Sequence, residues 1–355
     1  MNKIILIGNG FDIAHGLPTT YLNFLDFVRD SIVQKIQLDT SSYRHEILGK
    51  PRGQDSSFIH KLDENGKEDP WIGAVINQNS HKIELKTNPH GSNNSIYYKS
   101  LFSDKTINGH WSDLEYHYFK TLNKNSGKPK AVAIINEEFE HLKTLLYLYL
   151  KNEVESKIGK QDEFIISDKH SIFDMLSEGH NDFIFHKHFF VNFNYTSKIL
   201  NQYISWLRQS KGQENIPSAV NIHGDLTNSS NPIIFGYGDD NSEEYKNLQN
   251  LKQNSLLQNF KTFQYLRSSR YKQVLSLLET DEELYVQIIG HSCDTTDKAL
   301  LKTIFQHPNV KFIEGTYYES EGRYFEKLYN ISRIFDDTSL MRQKIIPLEQ
   351  SFKIV

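Results

Sequence analysis

The chain opens with a short apolar strand that runs directly into a glycine-rich turn, and this feature most restricts the folds open to it. Residues Lys3 to Ile7 form an apolar run, the pattern of a strand buried on both faces of a parallel sheet. Gly8-Asn9-Gly10-Phe11-Asp12 follows at once, and Thr19 or Thr20 can cap the next helix. The apolar positions of that helix recur at helical spacing: Leu22, Leu25, Phe27, Val28 and Ile32. The opening therefore predicts strand, glycine turn and helix.

The second half of the chain alternates short apolar runs with amphipathic segments. The predicted strands cover 189–193, 219–222, 232–235, 284–289 and 310–313, with a short edge strand at 352–355. The predicted helices cover 197–209, 242–279 and 322–335, and a further helix starts at Thr295 or Thr296. Such alternation predicts an α/β fold with a mostly parallel, Rossmann-like sheet and helices on both faces.

Residues 39–108 differ in character, because Asn, Ser, Gly and Lys dominate and apolar periodicity is weak. We interpret them as a solvent-facing insertion with short irregular elements, or alternatively as a lid. A capped helix begins near Trp111, and a long amphipathic helix covers 131–158. We therefore expect a Rossmann-like nucleotide-binding domain built from 1–38 and 184–355, interrupted by an insertion at 39–183.

Composition indicates the cellular compartment of the protein more clearly than it indicates a binding partner. The 355 residues carry a formal charge of −4, which is too small to indicate a partner, and no basic domain indicates direct nucleic-acid binding. Cys293 is the single cysteine, so an intrachain disulfide is impossible, as is typical of a reducing compartment. The N-terminal apolar run is too short for a signal peptide, and no later run has transmembrane length. We expect a soluble, cytoplasmic protein without a membrane partner.

Glycine and polar residues gather where the predicted strands end. In open α/β sheets, ligands bind beyond the carboxyl ends of the strands. The residues at these ends are Gly8, Asn9, Gly10, Asn194, His223, Gly224, Gly236, Gly290, His291 and Ser292. If the strands are parallel, these residues converge on one crevice. Their shared position therefore predicts a ligand site.

The first turn has two interpretations. Gly8 and Gly10 let the backbone approach a ligand closely, and free amides near a helix start attract phosphate oxygens. However, Ile13 occupies the third glycine position of the dinucleotide fingerprint, so a tight strand–helix turn is the alternative. Asp12 is suited either to a ribose hydroxyl or to its own loop.

Four further side chains are candidates for the chemistry. His223 is the candidate general base, because imidazole titrates near neutral pH. The Asn194 amide can orient water or a ribose hydroxyl. Asp297 lies at a helix start, where capping competes with ligand binding. Trp111 can anchor the start of its helix, and Glu115, close to Trp111, is a possible crevice carboxylate. Structural hydrogen bonding or capping is the alternative interpretation for each of them.

Metal chemistry is not expected from the sequence. His186 and His188 are separated by one residue, with no carboxylate pair nearby. The chain also lacks a serine-hydrolase elbow and a Walker loop. We predict no metal site.

Five segments of the chain resemble the AbiH family of bacteriophage abortive-infection proteins. They are IGNGFDIAHGLPT at 7–19, WSDLE at 111–115, NFNYT at 192–196, IHG at 222–224, and GHS at 290–292 followed by Asp297. They occur in the family's order along nearly the whole chain. Cys293-Asp294 departs from the Leu-Gly type pair that is usual there. The resemblance implies a role in antiphage defence, for which a homo-oligomer or a companion defence protein is a possible partner.

The same order of motifs is similar to the sirtuin-like fold of bacterial defence NAD hydrolases. This similarity implies that Gly8 and Gly10 hold the pyrophosphate, Asn194 positions ribose and water, and His223 is the base. It implies that Ser292 and Asp297 flank the adenosine side. Gly16-Leu17-Pro18 resembles the Gly-Ile-Pro of sirtuins, but the Asp-Phe-Arg expected next is replaced by Thr19-Thr20-Tyr21. The nicotinamide-side contacts therefore remain unassigned.

The cysteine count argues against one activity of that superfamily, since sirtuin deacylases carry a four-cysteine zinc ribbon. Hydrolysis of NAD at the nicotinamide–ribose bond needs neither that ribbon nor a cofactor, because NAD is then the substrate. Two alternatives stay open: a nucleotide-sensing module without catalysis, and an enzyme acting on another nucleotide or a nucleic acid. The latter is the weakest, because the carboxylate cluster of metal nucleases is missing.

Overall fold

The computed structural model describes residues 1–38, 56–62, 68–77, 82–88, 95–104, 109–156, 158, 172, 175–176, 183–211, 219–227, 232–318 and 320–354. These residues form two compact units. Unit 1 comprises Met1–Thr19 and Leu150–Val355, and unit 2 comprises Thr20–Tyr149. The boundaries fall after residues 19 and 149, whereas the sequence placed them after 38 and 183.

Unit 1 is built on a five-stranded sheet. Numbered along the whole chain, its strands are β1 (Asn2–Ile7), β5 (His188–Asn192), β6 (Val220–Asn221), β7 (Leu284–Ile289) and β8 (Val310–Gly315). Their order is β6-β5-β1-β7-β8, and every neighbouring pair is parallel. The predicted parallel α/β sheet is confirmed. If these five strands are renumbered 1 to 5 along the chain, their order in the sheet is 3-2-1-4-5. The strand order therefore reverses between β1 and β7, which is the position where doubly wound sheets bind ligands.

The register of the sheet sets where the strand ends meet. Ile7 at the end of β1 pairs with Asn192 of β5 and with Ile289 of β7. Asn192 in turn pairs with Asn221 of β6. Four strands therefore end at one level, and the turns that follow them start side by side.

The core of unit 1 explains why these segments become central strands. Residues 4–7 of β1 are at most 1% exposed, and Ile4 and Leu6 belong to the same apolar core cluster as residues of β5 and β7. A continuous apolar run buried on both faces is what a parallel strand needs.

The helices of unit 1 are α1 (Asn9–Ala14), α6 (Lys198–Lys211), α7 (Glu243–Asn250), α8 (Lys261–Gln264), α9 (Arg270–Leu278), α10 (Lys298–Phe305), α11 (Glu321–Ser332) and α12 (Thr338–Lys344).

Shorter elements complete unit 1. A π-helical turn covers Leu150–Glu155, and 3-10 turns cover Asn254–Leu256, Tyr265–Arg267, Thr295–Asp297 and Leu348–Gln350. Strands β9 (Tyr317–Tyr318) and β10 (Lys353–Ile354) form a separate parallel pair. The predicted edge strand of the tail is thus short and pairs with β9.

Two predictions for unit 1 were wrong in detail. The helix predicted over 242–279 is broken into short helices and 3-10 turns, and Lys252 takes a positive φ of 53° where α7 ends. Residues 232–235 are not a strand. Instead, the Ile234 amide donates to the His223 carbonyl oxygen at 2.7 Å, so this segment packs on the turn after β6.

Unit 2 contains its own small sheet. Strands β2 (Ser56–Leu62), β3 (Glu68–Asn77) and β4 (Lys82–Thr87) form a three-stranded antiparallel sheet. Its helices are α2 (Tyr21–Leu38), α3 (Tyr97–Ser103), α4 (Trp111–Lys124) and α5 (Pro129–Tyr149). The irregular insertion expected over 39–108 is therefore partly a regular sheet and helix, although residues 39–55 lie outside the described part. None of the described helices has the length and apolar character needed to cross a bilayer.

Candidate active site at the carboxyl ends of the strands

The glycine turn after β1 lies directly against the turn after β7. The Gly10 amide donates to the Gly290 carbonyl oxygen at 2.8 Å. A Cβ on Gly8 would stand 2.4 Å from the His291 Cα, and one on Gly290, whose φ is +67°, would stand 2.1 Å from the Phe11 nitrogen. Side chains at these positions would force the two turns apart. The close backbone contact between the turns is sufficient to explain why glycine occupies these positions.

This contact also uses the amides of the turn. The Gly10 amide is bonded to Gly290, and the Phe11 amide donates to the Gly8 carbonyl oxygen at 2.9 Å. The tight-turn interpretation is thus satisfied by the fold itself. That Gly8 and Gly10 hold a pyrophosphate stays a prediction, and it requires these amides to exchange partners when the ligand binds.

Asn194 belongs to the same crevice. Its side-chain amide donates to the Gly8 carbonyl oxygen at 3.1 Å, which ties the turn after β5 to the turn after β1. The backbone amide of Asn194 donates to the Asn192 side chain at 3.0 Å. Asn192 also donates to the Thr196 carbonyl oxygen at 2.9 Å. This fully buried side chain therefore shapes the Asn-Tyr-Thr turn, a role the sequence analysis missed.

Asp12 is a buried carboxylate at the centre of this turn. Thr196 Oγ1 donates to Asp12 Oδ2, and Asn194 also hydrogen-bonds the carboxylate. Burial raises the pKa of Asp12 from 3.8 to about 7; the hydrogen bonds from Thr196 and Asn194 oppose the rise, and the negative charge of Glu155 adds to it. A carboxyl group with this pKa can exchange a proton near neutral pH. The residue pattern predicts a role for Asp12 in its loop or at a ribose hydroxyl, and it does not indicate this raised pKa.

His223 lies in a cluster of charged side chains that also contains Asp297, Lys261 and His291. The Asp297 carboxylate is 3.0 Å from His223 Nε2, 2.8 Å from Lys261 Nζ and 3.4 Å from His291 Nε2. All four side chains are buried. We call them the Asp297 cluster. The turn after β6, helix α8, and the turn and 3-10 segment after β7 supply them.

The hydrogen bonds of His223 fix which nitrogen can exchange a proton. Nδ1 lies 2.9 Å from the Phe193 carbonyl oxygen, which can only accept, so Nδ1 carries a proton. Nε2 faces Asp297 and lies 3.2 Å from the Tyr265 hydroxyl. His223 therefore gains and loses its proton at Nε2, where Asp297 can stabilise the charged form.

Electrostatics within the Asp297 cluster keep its carboxylate ionised. Burial by itself raises the pKa of Asp297, but the Lys261 ammonium and the contacts with His223 and His291 outweigh it and hold that pKa well below the ordinary value. Burial lowers the pKa of His223, and Lys261 lowers it too, whereas Asp297 raises it. Asp297 is therefore expected to be ionised and paired with Lys261, while burial shifts His223 toward its neutral form.

The remaining predicted residues of unit 1 lie around these groups. The Asn9 side chain donates to the Thr19 carbonyl oxygen at 3.0 Å, and Gly224 packs against Pro232. Ser292 is exposed, and its carbonyl oxygen accepts from the Asn330 side chain at 2.9 Å. A role for them in ligand binding stays a prediction.

Trp111 and Glu115 belong to unit 2. The Trp111 ring packs on the rings of Tyr21 and Phe24, with centroid distances of 5.4 Å in each case. Glu115 is buried on α4. The anchoring role considered for Trp111 agrees with these contacts. A catalytic role for either residue stays a prediction.

Most partners in the Asp297 cluster could not be predicted from the residue pattern. Lys261 stands 36 residues before Asp297 in a segment read as one long helix, so nothing marked it as a partner. His291 was noted only as part of a strand-end motif.

Glu155, whose charge acts on Asp12, ends the π-helical turn and accepts from the Ser197 amide at 3.1 Å. No group of three or more His, Cys, Asp or Glu among the described residues could hold a metal ion.

The side chains of this site can position a ligand and exchange protons with it. A histidine with one proton-exchanging nitrogen stands beside an ionised carboxylate, and an amide side chain links the two central turns. A second carboxyl group with a pKa of about 7 lies next to that amide. These are the elements of acid–base chemistry at a sheet edge.

Comparison with known proteins identifies the family. A family model described as bacteriophage abortive infection AbiH matches residues 4–319. That range contains every strand end that carries a candidate residue and covers far more than half of the chain. No curated protein and no solved structure matched the chain. The chain belongs to the AbiH family, which connects it with abortive infection by bacteriophages.

Proposed function

We propose that this AbiH protein acts in abortive infection by hydrolysing NAD at the nicotinamide–ribose bond. The observation that carries the proposal is the convergence of Gly8, Asn194, His223 and Gly290 where the strand order reverses. Doubly wound sheets bind nucleotides at that position. The similarity of the motif order to sirtuin-like NAD hydrolases supports the choice of substrate. NAD is then a substrate, and no cofactor is required.

The proposed reaction breaks the bond between C1′ of the ribose and the nicotinamide nitrogen. The electron pair leaves with nicotinamide, and an oxocarbenium-like ribose forms, as at glycosidase sites. Water adds to C1′ and gives its proton to His223 Nε2. The Asp297 carboxylate, 3.0 Å from that nitrogen, stabilises the imidazolium. Asn194 orients the water or the ribose hydroxyls.

The purified full chain is incubated with NAD, and chromatography measures the nicotinamide that is released. His223→Gln and Asn194→Ala should each lower the rate by about 100-fold or more, the usual effect of losing a general base or an orienting group. His186→Gln and Asn201→Ala are matched controls, because both residues are exposed and lie outside the site. These controls should keep the wild-type rate.

Two results would defeat this proposal. One is the absence of nicotinamide release under infection-like conditions, including addition of phage lysate as an activator. The other is undiminished turnover in both site variants. An activator is included because an NAD hydrolase must be held inactive in an uninfected cell, either by a companion protein or by its oligomeric state.

One observation favours a second candidate, a nucleotide-sensing module without catalysis. Both ring nitrogens of His223 already face protein atoms, namely the Phe193 carbonyl oxygen and Asp297, and the side chain is 7% exposed. A purely structural histidine has these contacts. This candidate predicts calorimetric binding of NAD or another nucleotide that remains intact over hours.

A further inference from the structure

A second group of reactive side chains lies in unit 2, outside the site described above. His117 Nε2 is 3.0 Å from Ser100 Oγ, and His117 Nδ1 is 3.1 Å from Asp104 Oδ2. The hydroxyl, the imidazole and the carboxylate thus form one hydrogen-bonded line. A serine, a histidine and a carboxylate in this order are the arrangement that activates a serine nucleophile.

Two helices hold the three side chains in place. Ser100 lies on α3, Asp104 directly follows that helix, and His117 lies on α4. Ser100 and Asp104 are four residues apart, so both project from one side of α3 toward His117. The Tyr97 hydroxyl donates to the Leu114 carbonyl oxygen at 3.2 Å and ties the two helices together.

The start of α3 is fixed by a buried carboxylate. Glu138 of α5 accepts the Tyr97 amide at 2.8 Å and the Ile96 amide at 2.9 Å, and Ser95 Oγ also donates to it. Amides at a helix start lack partners within the helix, and Glu138 satisfies them. The helix that carries Ser100 is therefore held rigidly against α5, as a preorganised site requires.

We propose that Ser100, His117 and Asp104 form a catalytic triad that hydrolyses carboxylic esters with an apolar acyl chain. The proposal does not depend on NAD hydrolysis, because it concerns other residues in another unit. Ser100 is the nucleophile, His117 is the base, and Asp104 orients the imidazole. Nothing in the family description assigns this activity.

The proposed reaction balances without a further reagent. Ser100 Oγ bonds to the ester carbonyl carbon while its proton passes to His117 Nε2. The ester C–O bond then breaks, and the alcohol leaves with that proton. Water attacks the acyl-serine, gives a proton to His117, and releases the carboxylic acid as Ser100 regains its hydrogen. Asp104 stays ionised throughout.

The protonation state of His117 suits this role. Burial lowers its pKa, and the ammonium of Lys120 lowers it further, while Asp104 acts in the opposite direction. The ring is therefore neutral at pH 7 and can accept the serine proton. Ser100 itself is half-buried, whereas His117 is 8% exposed, so the hydroxyl is the more accessible member of the pair.

The groove beside α3 has apolar residues in its wall that indicate the class of substrate. This open groove of about 470 Å³ is lined by Asp104, Leu101 and Phe102, by Leu22 and Leu25 of α2, and by the charged residues Arg29, Glu84 and Lys86. Asp104 thus belongs both to the triad and to the groove wall. Leucine and phenylalanine side chains in the wall match an aliphatic acyl chain, which gains free energy by leaving water.

The experiment uses an alkyl fluorophosphonate, which bonds covalently to activated serines and releases fluoride. The full-length protein is incubated with the probe at pH 7.5, and peptide mass spectrometry locates the adduct. We expect modification of Ser100, and its rate should fall at least about 100-fold in His117→Gln. Ser103→Ala is the matched control, since this exposed serine of the same helix lies outside the triad.

Circular dichroism and thermal melting establish that each variant is folded before labelling. Folded wild-type protein whose Ser100 stays unmodified would overturn the proposal. So would labelling of Ser100 at the wild-type rate in folded His117→Gln. If that variant does not fold, Asp104→Asn replaces it, and unchanged labelling there has the same consequence. None of these outcomes bears on nicotinamide release, so the two proposals can fail separately.

Discussion

Asp12 offers a prediction whose magnitude follows from the structure. Its carboxyl group is 4% exposed and receives hydrogen bonds from Thr196 and Asn194. The perturbation is Asp12→Asn, which keeps the shape of the side chain and the oxygen that accepts from Thr196. It removes the ionisable group. The substitution therefore isolates the effect of titration on the free energy of unfolding.

The sign follows from proton linkage. Burial raises the pKa of Asp12 from 3.8 to about 7, so the folded state holds a proton that the unfolded chain has already lost. Asp12 favours the folded state fully below the unfolded pKa, and this stability is lost as the pH rises through the folded pKa. The affected window runs from about pH 4 to pH 7. Asparagine has no such window.

The magnitude comes from the same two values. At about 1.4 kcal/mol per pKa unit, the ionisation penalty of Asp12 amounts to about 1.5 kcal/mol at pH 5 and about 4 kcal/mol at pH 8. The free energy of unfolding of Asp12→Asn minus that of the wild type should therefore rise by about 2.5 kcal/mol between these pH values. Any pH-independent cost of the amide cancels in this comparison.

The assay is urea unfolding of both proteins at pH 5 and pH 8, followed by circular dichroism. Asp281→Asn is the matched control, because it removes one negative charge from an exposed position. A difference between Asp12→Asn and the wild type that stays constant within about 0.5 kcal/mol would refute the reasoning. A difference that falls with rising pH would refute it equally.

Two further predictions concern the stability of the site. Asp297→Asn and Lys261→Met should each destabilise unit 1 by about 3–5 kcal/mol, because either change leaves a buried charge without its partner. The double variant should lose less free energy of unfolding than the sum of the two single losses. Additive losses in a urea double-mutant cycle would contradict the buried ion pair. Gly290→Ala should lower the unfolding free energy by at least about 2 kcal/mol, since its φ of +67° and the Phe11 nitrogen leave no room for a Cβ. Gly127→Ala, whose added Cβ meets nothing within 4 Å, should change it by less than about 1 kcal/mol; equal losses would argue against a tight contact between the turns.

Much of the parallel sheet could be predicted because its signals are local. Short apolar runs predicted β1, β5, β7 and β8, although the similar run at 232–235, which is also followed by glycine, is not a strand. The antiparallel sheet of unit 2 was missed for the opposite reason. Strands with one solvated face show only an alternation of apolar and polar residues, which is less conspicuous than a continuous apolar run.

The π-helical turn and the breaks after α7 were not predictable from periodicity either. The pattern over 131–158 is consistent with one helix, yet the last six residues before Ser156 form a π turn that buries Glu155. The segment 242–279 contains enough apolar residues for a helix. Its packing against the turns after β6 and β7, through Lys261 and Tyr265, is a tertiary effect that overrides local propensity.

The sequence alone determined which residues stand at the ends of the strands, and the parallel order of the sheet made them neighbours. Only the tertiary structure decided what each of them contacts. Gly10 bonds to Gly290, and Asp297 gathers His223, Lys261 and His291. The physical reason is that periodicity reports whether a position is buried. The partner of a buried polar group depends on which distant segments packing brings within hydrogen-bond distance.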